Sequence, residues 1–165
     1  MKKIGLILAG FLLISLGSCG GGEEKKEDEK VKIGQTTKKE VVEKVEVVKA
    51  SEMIDLTNKG VGPIASLTLP ETIDNAMATN GAEVFKTKCM ACHKPDKKFI
   101  GPAPTGIMER RTPEWIMNMI LDPEGMVAKD PLAKQLLVEF NGSPMANQNL
   151  TEEEARAILE YFRTL

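Results

Sequence analysis

Residues 89 to 93 read Cys-Met-Ala-Cys-His, and they narrow what the chain can become more than any other stretch. They set two of the three cysteines of a 165-residue chain against its single histidine. Three chemistries use such a cluster, and two of them fit poorly. A redox dithiol places Cys-x-x-Cys at a strand-to-helix junction of a βαβ unit. The residues before Cys89, Gly-Ala-Glu-Val-Phe-Lys-Thr-Lys, have a helical pattern, and no strands alternate with helices here. A structural zinc ion needs four ligands. Cys89, Cys92 and His93 are three, and the remaining cysteine, Cys19, has another use.

That use is written in the N-terminus. Lys2 and Lys3 precede an apolar run from Ile4 to Leu16, which is too short to span a bilayer as a helix. It fits the apolar region of a secretory signal. The run ends in Leu16-Gly17-Ser18-Cys19, which resembles the lipobox of bacterial lipoproteins. The resemblance implies removal of residues 1–18 and acylation of Cys19 at its sulfur and amino group. Residues 19–50 are then a lipidated Cys and a charged flexible tether, Gly-rich and mixed in charge, with no aromatic residue to build a core. As a coil such a tether reaches on the order of 30 Å, and roughly 100 Å at full stretch. The mature chain would carry 20 Lys and Arg (22 less Lys2 and Lys3) against 24 Asp and Glu, a net charge of −4. With no basic stripe, nucleic acid is not an expected partner. Residues 51–74 hold Met53, Ile54, Leu56, Val61, Ile64, Leu67 and Leu69 between the breakers Gly60, Gly62, Pro63 and Pro70. They read as an extended arm laid on the surface of the domain that follows.

The third chemistry for the cluster is covalent haem attachment, for which Cys-x-x-Cys-His is the c-type signature. On a helical turn, positions i and i+3 share a face. The thiols of Cys89 and Cys92 can therefore add to the two vinyl groups of one haem. His93 rises from the same face and can place a ring nitrogen on the iron. A sixth ligand must come from elsewhere. Of the nine methionines, Met108, Met117, Met119 and Met126 lie in apolar sequence, where Met usually fills gaps. Met145 lies in the polar loop Phe-Asn-Gly-Ser-Pro-Met-Ala-Asn-Gln-Asn. A thioether there has no packing reason to be present, and it is a suitable soft ligand for haem iron.

On these residues the stretch 75–165 resembles a class I cytochrome c domain. Gly81-Ala82-Glu83-Val84-Phe85 before Cys89 is similar to the N-terminal helix of that family, where a Gly lets the C-terminal helix cross closely and an aromatic packs into the crossing. Ile100-Gly101-Pro102 resembles the segment whose Pro carbonyl accepts the Nδ1–H of the axial His. Pro104 stands near the place where the family usually shows Leu. The resemblance implies an all-α fold of four to five short helices around one covalent haem c. It also implies a sixth ligand from the Met loop. Thr112-Pro113 and Asp130-Pro131 each read as N-cap and first position of a helix, one to about Met119 and one to about Phe140. Thr151 and Glu154 form a capping box for the last helix, whose apolar face is Ala155, Ile158, Leu159 and Phe162. Trp115, Arg110 and Arg111 are candidate donors to the haem propionates.

The function this implies is a one-electron carrier, not an enzyme, with His93 and Met145 on the iron. It would be exported, held to a membrane by its N-terminal lipid, and face the periplasm or cell envelope. The expected partners are redox proteins: a membrane quinol-oxidising complex as donor and a terminal reductase or oxidase as acceptor. The C-terminal stretch from Gly142 onward looks similar to small cytochromes that serve terminal reductases such as nitrous oxide reductase. The rival reading is a haem enzyme or gas sensor with an open sixth site. A third is a haem module that only assembles a respiratory complex.

Overall fold

The computed structural model describes residues 48–165. The expected signal peptide at 1–18, the lipidation site Cys19 and nearly all of the 19–50 tether lie outside the described residues. Among the described residues there are five α-helices and no strand: α1 Asn75–Lys88, α2 Pro113–Leu121, α3 Pro123–Lys129, α4 Pro131–Glu139 and α5 Glu152–Phe162. A 3-10 turn, Ile107–Glu109, precedes α2. The expectation of an all-α fold of four to five short helices holds.

The helices begin where the sequence supplies caps. Asp74 accepts the Met77 N–H at 3.0 Å ahead of α1. Thr112 accepts the Trp115 N–H at 3.1 Å and Pro113 opens α2. Asp130 accepts the Ala133 N–H at 2.7 Å and Pro131 opens α4. Pro is tolerated at the first helical position because that N–H has no partner within a helix. α3 is not among the helices expected from the sequence, yet it opens on the same pair, Asp122-Pro123, with Asp122 accepting the Gly125 N–H at 3.0 Å. Its 7 residues are too few for a periodic pattern to show. α5 carries the expected capping box, Glu154 N–H to Thr151 Oγ1 at 3.2 Å and Thr151 N–H to Glu154 Oε2 at 2.9 Å.

α1 packs most extensively on α5. Gly81 permits the approach, since a Cβ there would stand 1.9 Å from the Ala157 carbonyl oxygen. Phe85 fills the crossing one turn later. Its ring meets Phe162 edge-on, with centroids 5.6 Å apart, and Tyr161 at a tilt, 5.5 Å away. Glu160 of α5 is fully buried and accepts from the Asp74 N–H at 2.8 Å and from Arg156 and Arg163. Burial pushes its carboxyl up, but the Asp74 amide and the two guanidinium groups outweigh that and hold it below the usual carboxylate range. Arg163 also donates to the Pro70 and Glu71 carbonyls at 2.7 and 3.2 Å, so the end of the arm is pinned to α5.

The rest of the arm lies against α2. Glu114 and Asn118, four residues apart and so on one face of that helix, are both buried. Asn118 accepts the Ile64 N–H at 2.9 Å and donates to the Lys59 and Ile64 carbonyls, each at 3.0 Å. Glu114 accepts the Leu67 N–H at 3.1 Å and pairs with Lys59 at 3.1 Å. Thr112 Oγ1 donates to the Asn58 carbonyl at 2.6 Å. An irregular segment has no ladder for its own N–H and C=O groups, and buried ones must be paired. Here α2 supplies the partners, and Ile64 enters the core beside them. Asn118→Ala strips three backbone groups of the arm of their partner and is expected to cost about 3 kcal/mol. The check is a lower urea midpoint at unchanged slope, with faster amide exchange at Ile64. An unmoved midpoint would show that these bonds do not hold the arm.

Candidate functional site

α1 ends at the cluster. Cys89 is its C-cap, and the Cys89 carbonyl accepts both the Cys92 N–H at 3.0 Å and the His93 N–H at 2.9 Å. That shared acceptor winds the chain into one further turn and turns all three side chains into a cleft of about 210 Å3. Cys89 is half-buried and Cys92 exposed. Burial, and the neighbouring Cys92, push the Cys89 thiol up to about 11, so it stays protonated at neutral pH. Among the described residues no three His, Cys, Asp or Glu side chains converge to hold a metal ion by themselves.

The histidine is oriented. His93 Nδ1 lies 2.8 Å from the Pro102 carbonyl oxygen. A carbonyl can only accept, so Nδ1 carries the proton and Nε2 keeps its lone pair for a metal. Gly101 makes the approach possible, because a Cβ there would stand 2.4 Å from His93 Cε1 and 2.9 Å from Nε2. The Gly101 N–H in turn bonds the Cys92 carbonyl at 2.9 Å, closing the loop on the cluster. Pro104 is buried and lines the cleft.

Met145 lines the same cleft, half-buried, on the loop that follows α4. Asn141 and Gly142, at φ 60° and 71°, end that helix by turning the chain into the left-handed region. Of the other methionines, Met117 and Met126 are buried in the core, and the Met126 sulfur accepts the Val61 N–H of the arm at 3.0 Å. Met119, assigned to packing from the sequence, also lines the cleft, from the wall of α2. Most of the remaining wall residues are apolar, among them Phe85, Ile116, Ile120, Leu136, Phe140 and Phe162. Close-packed interiors carry few voids larger than a water molecule. A large apolar cleft with an oriented imidazole, a thioether and two thiols on its walls fits a flat apolar group that carries a metal and bonds to sulfur.

Trp115, Arg110 and Arg111, the candidate donors to the propionates, all line the cleft, and each also donates within the protein. Trp115 Nε1 donates to Asp130 Oδ1 at 3.2 Å. Arg110 donates to the Gly106 and Thr105 carbonyls at 2.9 and 3.1 Å. Arg111 donates to the carbonyl of Ala50, just before the arm, at 2.5 Å, and to that of Met53 within it. Ser51 of the arm and Gln148 of the Met loop also reach the cleft, and no sequence pattern marks either.

Residues 78–165 match the family model described as Cytochrome c. The chain belongs to that family. A cytochrome c-551 from Stutzerimonas stutzeri is 32% identical to this cytochrome, over 62% of this chain and 93% of that protein. A cytochrome c from Rhodothermus marinus superposes with a TM-score of 0.61 at 44% identity, covering 70% of this chain and 92% of that one. An engineered form of the Rhodothermus marinus protein, bound to a carbene intermediate, gives a TM-score of 0.59 at 43% identity, covering 70% and 93%. The fold is the class I cytochrome c fold, and the cytochrome carries one covalent haem c, with Cys89 and Cys92 placed as in the attachment motif. Its work is haem-based electron transfer with redox partners.

Proposed function

We infer that this cytochrome is a His93/Met145-ligated one-electron carrier of a membrane-associated respiratory chain. The observation that carries the reading is the His93–Pro102 bond at 2.8 Å, in a cleft that Met145 also lines. When bound, haem supplies a one-electron Fe(II)/Fe(III) couple. The chain's own residues make that couple useful. The Pro102 carbonyl fixes the imidazole and raises its basicity, so Nε2 is presented in one orientation. The Met145 thioether is a soft donor that would favour the reduced metal and raise the potential. Apolar walls from α1, α2, α4 and α5 would keep water from the metal. With His93 and Met145 both holding it, little would have to rearrange when an electron moved.

Beside the cleft lies the surface that this reading assigns to the partner. Phe99 and Ile100 are about half exposed, at 50% and 48%, next to the exposed Cys92. Lys94 lies over the Phe99 ring at 5.1 Å, and Lys98 over the Phe140 ring at 4.4 Å. Residues 86–98 hold Lys86, Lys88, Lys94, Lys97 and Lys98 against the single acid Asp96. An apolar centre with a cationic rim suits brief docking to an acidic redox protein. The sequence likeness supports a terminal reductase such as nitrous oxide reductase as acceptor and a quinol-oxidising complex as donor. The lipobox-like Leu16-Gly17-Ser18-Cys19 supports a lipid anchor and a place in the periplasm or cell envelope.

Three outcomes follow. Met145→Ala is expected to abolish the near-infrared sulfur-to-iron band of the ferric protein, lower the potential, and let carbon monoxide bind the ferrous form. Met119→Ala should keep the band and cost roughly 2–5 kcal/mol of stability through packing. A wild-type protein that is high-spin and binds carbon monoxide would replace the carrier reading by the open-site one. Lys97→Glu with Lys98→Glu should slow oxidation by hexacyanoferrate(III), a trianion, several-fold at low salt, and speed oxidation by a cationic cobalt complex. Equal rates with both oxidants would remove the cationic rim from the reading. Cys19→Ser is expected to release the cytochrome from membranes with its haem intact. Mass spectrometry that found an unmodified mature N-terminus elsewhere would contradict the anchor.

A further inference from the structure

Arg111 is a buried cation that the electron-carrier reading does not use. It is 3% exposed, lines the cleft, and stacks its guanidinium carbon 5.2 Å from the centre of the Trp115 ring. Among the described residues no carboxylate lies within ion-pair distance of it. Its acceptors are carbonyl oxygens: Arg110 at 2.8 Å, Ala50 at 2.5 Å, and Met53. Carbonyl dipoles bond it without cancelling its charge, and the carboxylates of Asp55 and Asp130 act on it only from beyond ion-pair distance. A guanidinium stays protonated in proteins, so burial does not discharge it.

Two of the three carbonyls, those of Ala50 and Met53, belong to the turn at Lys49 to Met53, where the expected tether passes into the arm, and this first turn has its own fastening. The Glu52 and Met53 N–H groups both bond the Lys49 carbonyl, at 2.9 and 3.0 Å, and close the turn. Ala50 is buried in the core. Ser51 clamps the turn to α4: its N–H donates to Glu139 Oε2 at 2.8 Å and its hydroxyl to Glu139 Oε1 at 2.5 Å. Ser51 itself lines the cleft. On the other side of Arg111, the Asp55 N–H bonds the Arg110 carbonyl at 3.0 Å and a single parallel bridge pairs Asp55 with Arg111. The chain from Ala50 to Asp55 is wrapped around one side chain. Neither the arm nor Glu139 touches His93, Met145 or the cysteines through any hydrogen bond.

We propose that the first turn of the arm, locked to α4 by Ser51 and Glu139, is a positioning device that holds Arg111 at the cleft and thereby raises the reduction potential of the haem. A fixed positive charge at an apolar site disfavours the more positive of two oxidation states, which is the ferric one. Low polarity makes the effect larger than at a surface. Release of the turn frees the guanidinium to turn toward water, and the ferric state gains. Arg111 and Ser51 act through position and field, and neither is a ligand. The inference rests on the haem that the family carries and not on which side chain is the sixth ligand.

The test is potentiometric, on the full-length holoprotein. Ser51→Pro removes both donors to Glu139 without changing charge, and Ser51→Ala removes only the hydroxyl. Glu139 is left intact, since loss of its charge would move the potential by itself. Ser51→Pro is expected to lower the midpoint potential, read as a several-fold fall in the ferrous-to-ferric ratio at fixed ambient potential, and Ser51→Ala to lower it less. In an Arg111→Gln background, Ser51→Pro should shift nothing further. An unchanged potential in both Ser51 variants overturns the proposal, even if Arg111→Gln fails to assemble. So does an equal shift with and without Arg111. The ferric near-infrared band and the spin state are recorded for every variant. A potential that falls only where the band is lost reports a ligand change and also overturns it. A wild-type protein without the band contradicts the Met145 ligation alone, and the comparison of potentials still decides the role of the turn.

Discussion

The approach of α1 to α5 at Gly81 governs the rest of the molecule. A side chain of any size at that position would meet the Ala157 carbonyl, so the two helices close on each other only because Gly81 has none. Cys89, Cys92 and His93 hang from the end of α1, and Ile158 and Phe162 of α5 are walls of the cleft. The crossing therefore sets how far the attachment cluster stands from the wall it faces. Phe85 belongs to both arrangements: it fills the crossing and lines the cleft. A shift between the helices would reach the cleft through that ring and through Phe162, which it meets edge-on and which lines the cleft as well.

α2 works in two directions. One face carries Ile116, Met119 and Ile120 to the cleft, and another carries Glu114 and Asn118 to the backbone of the arm. A nine-residue helix buried on both sides cannot show a simple amphipathic stripe. Its polar residues are buried, and each is paired. The same logic places Asp130 under the arm, where it accepts from Asn58 at 2.7 Å as well as from Trp115 and the start of α4. The arm is held through side chains that reach for main chain, with apolar anchors such as Ile64 between them.

The legible parts of the structure were those encoded by neighbours in sequence. Cys89, Cys92 and His93 declare themselves by spacing, and Thr112-Pro113, Asp130-Pro131 and the Thr151–Glu154 box mark helix starts through bonds a few residues long. Asp122-Pro123 is the same kind of mark, hidden because α3 is too brief to be looked for. Met145 stood out because a polar loop has no use for a thioether. What could not be read depends on distant partners. Asn118 looks like any surface amide until Ile64 is beside it, and nothing near Arg111 in sequence tells that the carbonyls of Ala50 and Met53 stand around it. Met119 shows why a methionine in an apolar helix is ambiguous: the same sequence context serves a packed core and a cofactor wall.

The crossing of α1 and α5 also sets an order of events. Gly81 and Ala157 stand near opposite ends of the domain, so their contact closes a loop that includes almost every residue between them, and the entropy of closing so long a loop delays it relative to local turns. The turn at Cys89 to His93 is local and needs only α1. The walls of α2, α4 and α5 all follow it along the chain. A polypeptide made from its N-terminus offers the two thiols and the imidazole while the last wall has yet to emerge. The long closure thus leaves an interval in which a flat group can be brought in from the side and bonded, after which the arriving C-terminal helix shuts it in.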